Sequence, residues 1–181
     1  MNYKIALGFF FVALALFLAG CTASGFDSEF SELTDLQQRY NLGEQLAPAR
    51  LQDLNAFKAE LNKMKQKTTD SAFSSFLDAR ISSVEIIENL LMASLEMQRV
   101  NPIDIDCASN GPLSKGKGLL EKTIKKSASA KARISAFKGN YSQYADKIEK
   151  AGFSEERITD LEKTIKAQSD YAQALWLENC P

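Results

Sequence analysis

The fold of this chain is decided by residues 147–158, KIEKAGFSEERI, because they describe a corner between two helices. Lys150 followed by Gly152 is typical of a helix C-terminus, where a cation meets the negative end and glycine accepts a left-handed backbone. Ser154 is a preferred N-cap, and the two glutamates after it favour the positive end of the next helix. Phe153, just before the cap, can pack onto the first turn. The stretch therefore predicts two antiparallel helices.

Helical periodicity extends outward from this corner in both directions. Apolar residues recur every three or four positions in five segments, which are 27–40, 48–67, 71–101, 119–150 and 155 to the end of the chain. The third stripe is out of phase with the second, and Thr68-Thr69-Asp70-Ser71 at the slip supplies capping oxygens, so a break is predicted there. No segment alternates long enough for a sheet. The predicted fold class is all-α, an up-and-down antiparallel bundle of four or five helices.

The first twenty residues have a separate layout. One cation, Lys4, precedes an uncharged apolar run over residues 5–19, which as a helix rises about 22 Å and falls short of a hydrocarbon core of about 30 Å. The run ends in Leu18-Ala19-Gly20-Cys21, which resembles the lipobox of prokaryotic lipoproteins. An uncleaved membrane anchor and an ordinary secretory signal remain the alternatives.

The resemblance implies an address and a domain plan. It implies a signal peptide over residues 1–20, cleaved before Cys21, and a diacylglyceryl group on the Cys21 sulfur. The protein would then be anchored to a membrane by lipid on its extracytoplasmic face, in a periplasm or at a cell surface. Residues 21–27 would be the lipidated tether and residues 28–181 a single helical-bundle domain, a size that allows one hydrophobic core.

The chain has three cysteines, and lipid on Cys21 leaves Cys107 and Cys180. An exported chain meets an oxidising compartment, where a remaining pair of cysteines favours a disulfide. Antiparallel packing of the last three helices places the loop that holds Cys107 and the C-terminus at the same end of the bundle. We therefore predict a Cys107–Cys180 disulfide.

The chain contains no histidine. This absence removes Ser-His-Asp and Cys-His catalysis, histidine-ligated zinc or haem, and the Glu-x-x-His pairs of di-iron bundles. We predict no cofactor, no metal site and no enzymatic activity. The net charge of −1 gives no indication of nucleic-acid binding.

Residues 111–118, GPLSKGKG, nearly match the phosphate-binding loop G-x-x-x-x-G-K-S/T. Gly118 replaces the hydroxyl that would hold magnesium and no strand precedes the stretch, so it is interpreted as a loop with glycines at turns. If the predicted fourth helix binds an anion, the candidate ligands are lysines, namely Lys115, Lys117, Lys122, Lys125 and Lys126.

Charge is distributed unevenly along the chain. Residues 113–150 hold ten Lys or Arg against three acids, whereas residues 70–106 hold two against seven. The basic stretch either faces anionic headgroups or wall polymers, or pairs with the acidic helix inside the bundle.

The predicted function is a non-catalytic interaction or scaffolding role at the membrane surface, with a protein partner that the sequence does not identify. The alternative is a helical binding module for a small or anionic ligand, in which the basic fourth helix takes part. A contiguous exposed face favours the first. An internal cavity of roughly a few hundred Å³ lined by lysines and aromatic residues favours the second, the candidate aromatic residues being Tyr141, Tyr144, Tyr171 and Trp176.

Overall fold

A computed structural model describes residues 25–40 and 51–180 of the protein. Its elements are α1 (Gly25–Arg39), α2 (Leu51–Lys67), α3 (Ser71–Gln98), α4 (Pro112–Asn140), a short 3-10 turn (Ser142–Tyr144), α5 (Ala145–Lys150) and α6 (Glu155–Asn179). These two ranges contain no strand, so the all-α prediction is confirmed. The predicted lipobox with Cys21 and the predicted start of the second helix at Pro48 lie outside the described residues.

The helices pack in up-and-down order. α4 lies between α3 and α6 and makes its most extensive contacts with α3, while α2 packs on the other side of α3. α1 contacts both α2 and α3. None of the described helices has the combined length and apolar character that crossing a membrane requires.

The corner between α5 and α6 forms as its sequence predicts. Gly152 has φ of 72°, in the left-handed region that glycine adopts without strain. Ser154 caps α6, its Oγ accepting a hydrogen bond from the backbone N–H of Arg157 at 3.3 Å. Phe153 and Ile158 are both buried beside it.

The predicted break between the second and third helices is also present. α2 ends at Lys67 and α3 begins at Ser71. The Asp70 carboxylate caps α3 by accepting a hydrogen bond from the Phe73 backbone N–H at 2.9 Å. Residues 51–98 therefore form two helices rather than one long one.

The predicted fourth helix, 119–150, is wrong at its start and in its continuity. α4 begins seven residues earlier because Pro112 occupies the first turn, where its missing N–H costs nothing, after the extended N-cap Gly111. It ends at Asn140, since Tyr141 leaves the helical region with φ −134° and ψ 54°. The remaining residues form the 3-10 turn and α5.

The core is richest in aromatic rings where α1 begins, and we call this end of the bundle the α1 end. Phe26 is fully buried there, with ring-to-ring contacts to Phe73, Phe76, Phe137 and Tyr144. α1 starts at Gly25. The predicted tether of residues 21–27 is therefore wrong for residues 25–27, which belong to this helix. A bulky apolar side chain this close to the predicted lipid belongs to the core rather than to a linker.

Candidate functional site

The opposite end of the bundle, which we call the disulfide end, is closed by a covalent link. Cys107, in the loop after α3, is bonded to Cys180 at the C-cap of α6, with the two Cα atoms 5.5 Å apart. This Cα separation lies in the usual range for a disulfide. The Cys180 backbone N–H also donates to the Trp176 carbonyl at 2.8 Å, which keeps the last residue of the pair on the helix. The structure thus has the predicted pairing.

An open groove of about 430 Å³ lies beside this link, between α3 and α6. The side chains that line it are mainly apolar or uncharged polar groups, from the last turns of α3, the segment after it and one face of α6. They are Ser94, Met97, Gln98, Val100, Pro102, Gln168, Tyr171 and Leu175. A concave surface of this size and composition suits the side chains of a partner protein.

Exposed apolar residues are concentrated at the same end. Ile103 is 94% exposed in the loop after α3, and Leu177 is 69% exposed near the end of α6. Leu95 and Tyr171 are exposed there too, so four of the five large apolar side chains exposed in the described part of the chain share this end. The fifth, Ile124, is on α4.

The five candidate lysines of α4 do not converge on one point. The Lys126 ammonium pairs with Glu85 of α3, whereas the Lys117 ammonium lies over the Trp176 ring of α6, 5.6 Å from its centroid. Lys115, Lys122 and Lys125 are exposed to solvent. From Lys115 to Lys126 the helix rises about 16 Å. The geometry therefore offers no single anion site built from these five cations.

Part of the α4 charge is neutralised inside the bundle, as one of the two interpretations of the charge pattern expects. Arg133 of α4 forms an ion pair as Lys126 does, because its Nη1 lies 3.2 Å from Asp78 Oδ1 of α3. The same Asp78 oxygen is 2.8 Å from Lys65 Nζ of α2, so one carboxylate connects three helices. On the other side of α4, Lys131 Nζ lies 2.5 Å from Glu162 Oε2 of α6.

The near match to a phosphate-binding loop is helical, so its interpretation as a loop is wrong. Residues 112–118 form the first turns of α4. Gly116 is buried against α3, where a Cβ would lie 2.8 Å from the Met97 sulfur. This glycine therefore allows close helix packing rather than a turn.

The four candidate aromatic residues lie at opposite ends and do not line one cleft. Tyr144 stacks on Phe26 at the α1 end, with Tyr141 nearby against Phe137. Tyr171 lines the groove at the disulfide end, and Trp176 is half-buried there under Lys117.

A buried cation on α3 was missed by the sequence analysis. Arg80 is 3% exposed, and its guanidinium carbon lies 5.4 Å from the Phe57 ring centroid and 5.1 Å from that of Phe153. Burial, and then the nearby positive charge of Arg157, lower the pKa of Arg80 to about 10. Its burial could have been predicted from its position, because Arg80 falls at helical spacing within the apolar stripe of α3.

Other chemistry is sparse in the described ranges. Residues 25–40 and 51–180 hold no group of three or more acidic or cysteine side chains placed to bind a metal ion. The remaining shifted pKa values belong to exposed pairs such as Asp146 with Lys150, whose hydrogen bond lowers the pKa of the carboxyl. Comparison with protein-family models, with curated proteins and with solved structures finds no match to this chain.

Proposed function

We propose that this protein is anchored by lipid on Cys21 at the extracytoplasmic face of a membrane and has a non-catalytic interaction or scaffolding role there. The observation that carries the proposal is that Phe26 and the groove lie at opposite ends of the bundle. Phe26 is buried at the α1 end, five residues after the lipobox cysteine. The groove lies between α3 and α6 at the disulfide end.

The short distance from Cys21 to the core supports an orientation on the membrane. Three residues, 22–24, separate the lipid position from Gly25, and the four residue-to-residue steps from Cys21 to Gly25 span at most about 14 Å when extended. α1 is held to the bundle by Phe26 and by an ion pair in which Lys147 Nζ lies 3.0 Å from Asp27 Oδ1. The α1 end therefore stays close to the anchoring surface.

The disulfide end then points away from the membrane. α3 contains 28 residues, so it rises about 42 Å from the α1 end to the groove. The groove, with Tyr171, Leu175 and Met97 in its lining, is in this way presented to proteins outside the bilayer. An apolar concave surface with uncharged polar groups fits a partner's apolar side chains better than it fits nucleic acid.

The alternative function, binding of a small or anionic ligand through α4, has less support. It requires several cations to face one space, whereas Lys117 and Lys126 point toward different helices. The groove is also open, and the described residues that line it include no lysine.

Anchoring is tested by Cys21→Ser in the full chain produced in a lipoprotein-processing bacterial host. The wild-type protein should carry a lipidated N-terminal peptide by mass spectrometry and partition into detergent. The variant should lose both properties. A variant that keeps the hydrophobic mass and the partitioning would exclude the lipobox assignment.

The interaction role is tested by a photoreactive phenylalanine analogue placed at Tyr171 in native membranes. The control is the same analogue at Lys166, which is exposed on another face of α6. We expect one discrete protein adduct from position 171, absent from position 166 and lost when Ser94→Arg fills the groove with a long cationic side chain. Identical patterns at both positions, or no adduct at either, would argue against a partner in the groove.

A further inference from the structure

The Cys107–Cys180 bond joins two segments that have few other attachments to the core. In the loop after α3, every residue from 101 to 110 is exposed except Ile105, which is half-buried. In the second half of α6, the last buried side chain is that of Ala172, and the next buried residue is Cys180 itself. Segments with few buried side chains open locally at low cost. Both segments therefore depend on the covalent bond for their position.

The noncovalent contacts that hold these two segments are weak. Cys107 Sγ lies 3.3 Å from the Asn179 carbonyl oxygen, but a disulfide sulfur has no proton to donate, and a thiol is only a weak donor. The printed backbone hydrogen bonds of the loop stay within it or join it to the adjoining ends of α3 and α4. On α6, Leu175 and Trp176 are only partly buried against the core. The bond is thus the main tie between the loop and α6.

The same two segments form part of the groove. Pro102 lines it from the loop, and Tyr171 and Leu175 line it from α6. Ser94 and Met97 line it from α3, which is held along its length by its extensive packing on α4. Opening the bond would therefore leave the α3 side of the groove in place and let the other two sides separate.

The two sulfur-bearing residues differ in their access to solvent. Cys107 is exposed in the loop, whereas Cys180 is 9% exposed. Disulfides are opened by attack of a thiolate on one of the two sulfurs, and access decides which one is attacked. A reductant in solution therefore reaches Cys107 first, and Cys180 becomes the leaving thiolate.

We propose that the Cys107–Cys180 disulfide is a redox switch that controls the groove, with a dithiol as its reductant. This inference rests on the proposed interaction role of the groove. When the bond opens, the last turns of α6 fray, the groove loses the side formed by Tyr171 and Leu175, and a bound partner is released.

The exchange has two steps. One thiolate of the dithiol attacks Cys107 Sγ, the S–S bond breaks, and Cys180 leaves as a thiolate that takes a proton from water. The second thiolate of the reductant then attacks its own sulfur in the mixed disulfide, forms the disulfide of the reductant and releases Cys107 as a thiolate, which is protonated in turn. Overall, two electrons and two protons pass from the dithiol to the protein.

The first experiment measures amide hydrogen exchange of the full-length protein in detergent, with and without dithiothreitol. We expect the amides of residues 173–179 to exchange at least about tenfold faster after reduction, whereas those of residues 158–165 stay protected. The fluorescence of Trp176, the only tryptophan of the chain, should change in parallel. Unchanged exchange over 173–179 would overturn the proposal. An equal loss of protection in both ranges would also overturn it, since the bond would then hold the whole fold rather than the groove.

Two variants separate the bond from the contacts around it. The double variant Cys107→Ser and Cys180→Ser should show the fast exchange without reductant and should not respond to it. Lys117→Met removes the cation over the Trp176 ring but keeps the bond, so its oxidised form should keep the slow exchange. If oxidised Lys117→Met exchanges as fast as the reduced wild type, the noncovalent contact holds α6 and the proposal is wrong.

The order of attack is tested with glutathione as a single thiol. Brief exposure followed by acid quenching and peptide mass spectrometry should find the mixed disulfide on Cys107. A mixed disulfide mainly on Cys180 would contradict the assignment of Cys107 as the accessible sulfur.

The second experiment repeats the photocrosslinking from position 171 in native membranes treated with dithiothreitol. The adduct should decrease at least about tenfold, because few molecules retain a complete groove. The double serine variant should lack the adduct without reductant, which excludes an effect of reductant on the partner. An adduct that persists in this variant would overturn the switch. Absence of the adduct even from the oxidised protein would contradict the proposed partner instead, and hydrogen exchange would still decide whether the bond controls the groove.

Discussion

The Tyr144 ring lies parallel to the Phe26 ring, with centroids 4.0 Å apart and planes 3° apart. Phe26 belongs to the first turn of α1, and Tyr144 ends the 3-10 turn that follows α4. The contact therefore joins the beginning of the bundle to the point where α4 stops. It gives a tertiary reason for the change of direction at Tyr141, since the chain turns there to stack Tyr144 on Phe26.

Phe26→Ala is expected to lower the free energy of unfolding by about 3–5 kcal/mol, because it leaves a cavity among five aromatic rings. Denaturant unfolding followed by circular dichroism measures the change. The control is Phe30→Ala, since Phe30 is only partly buried. We expect a smaller loss for Phe30, and an equal loss at both positions would contradict the central place of Phe26 in the core.

Alanine at Gly118 and alanine at Gly111 are expected to have opposite effects. A Cβ at Gly118 meets nothing within 4 Å inside α4, so Gly118→Ala should stabilise by up to about 1 kcal/mol through helix propensity. At Gly111 a Cβ would lie 2.7 Å from the Asp106 carbonyl oxygen, and the backbone must shift at a cost of about 1–3 kcal/mol. Urea midpoints compare the two, and a stabilising Gly111→Ala would show that the loop adjusts freely.

Loss of the Cys107–Cys180 link is expected to destabilise the protein by about 2–4 kcal/mol, since the bond closes a loop with a sequence separation of 73. The measurement is equilibrium unfolding with and without reductant. The control is the double variant Cys107→Ser and Cys180→Ser. Its free energy of unfolding should equal that of the reduced wild type and should not change when reductant is added. A wild type that is equally stable in both buffers would mean that the bond does not form in the protein.

Removing either helix cap is expected to cost about 1 kcal/mol. Asp70→Ala should cost more than Ser154→Ala, because the Asp70 cap is a charge-assisted hydrogen bond of 2.9 Å and that of Ser154 is a neutral one of 3.3 Å. Denaturant unfolding ranks the two variants. The reverse ranking would show that the α6 corner depends on its cap more than the start of α3 does.

Local chemistry made much of the fold predictable. The Gly152 stop, the Ser154 cap and the Asp70 cap act within one helical turn, and each is present in the structure. The disulfide was predictable because a bundle with short connections places Cys107 and Cys180 at one end. Predicting these features required only neighbouring residues, the order of adjacent helices and their alternating direction.

Features that depend on packing between distant segments were not predictable. Residues 111–118 contain three glycines, yet residues 112–118 are helical because Gly116 packs tightly on Met97. The burial of Phe26 depends on rings from α3, α4 and the 3-10 turn. The groove is a space between helices, and periodicity within one helix does not describe it.

The bond between Cys107 and Cys180 makes one covalent ring of α4, α5 and α6. A protease that cuts the backbone once at either connection between these helices would leave both pieces attached to each other. The nicked protein would keep its mass on a non-reducing gel and separate into fragments only after reduction. A bundle exposed to peptidases would in this way survive a single cleavage with its α6 still in place.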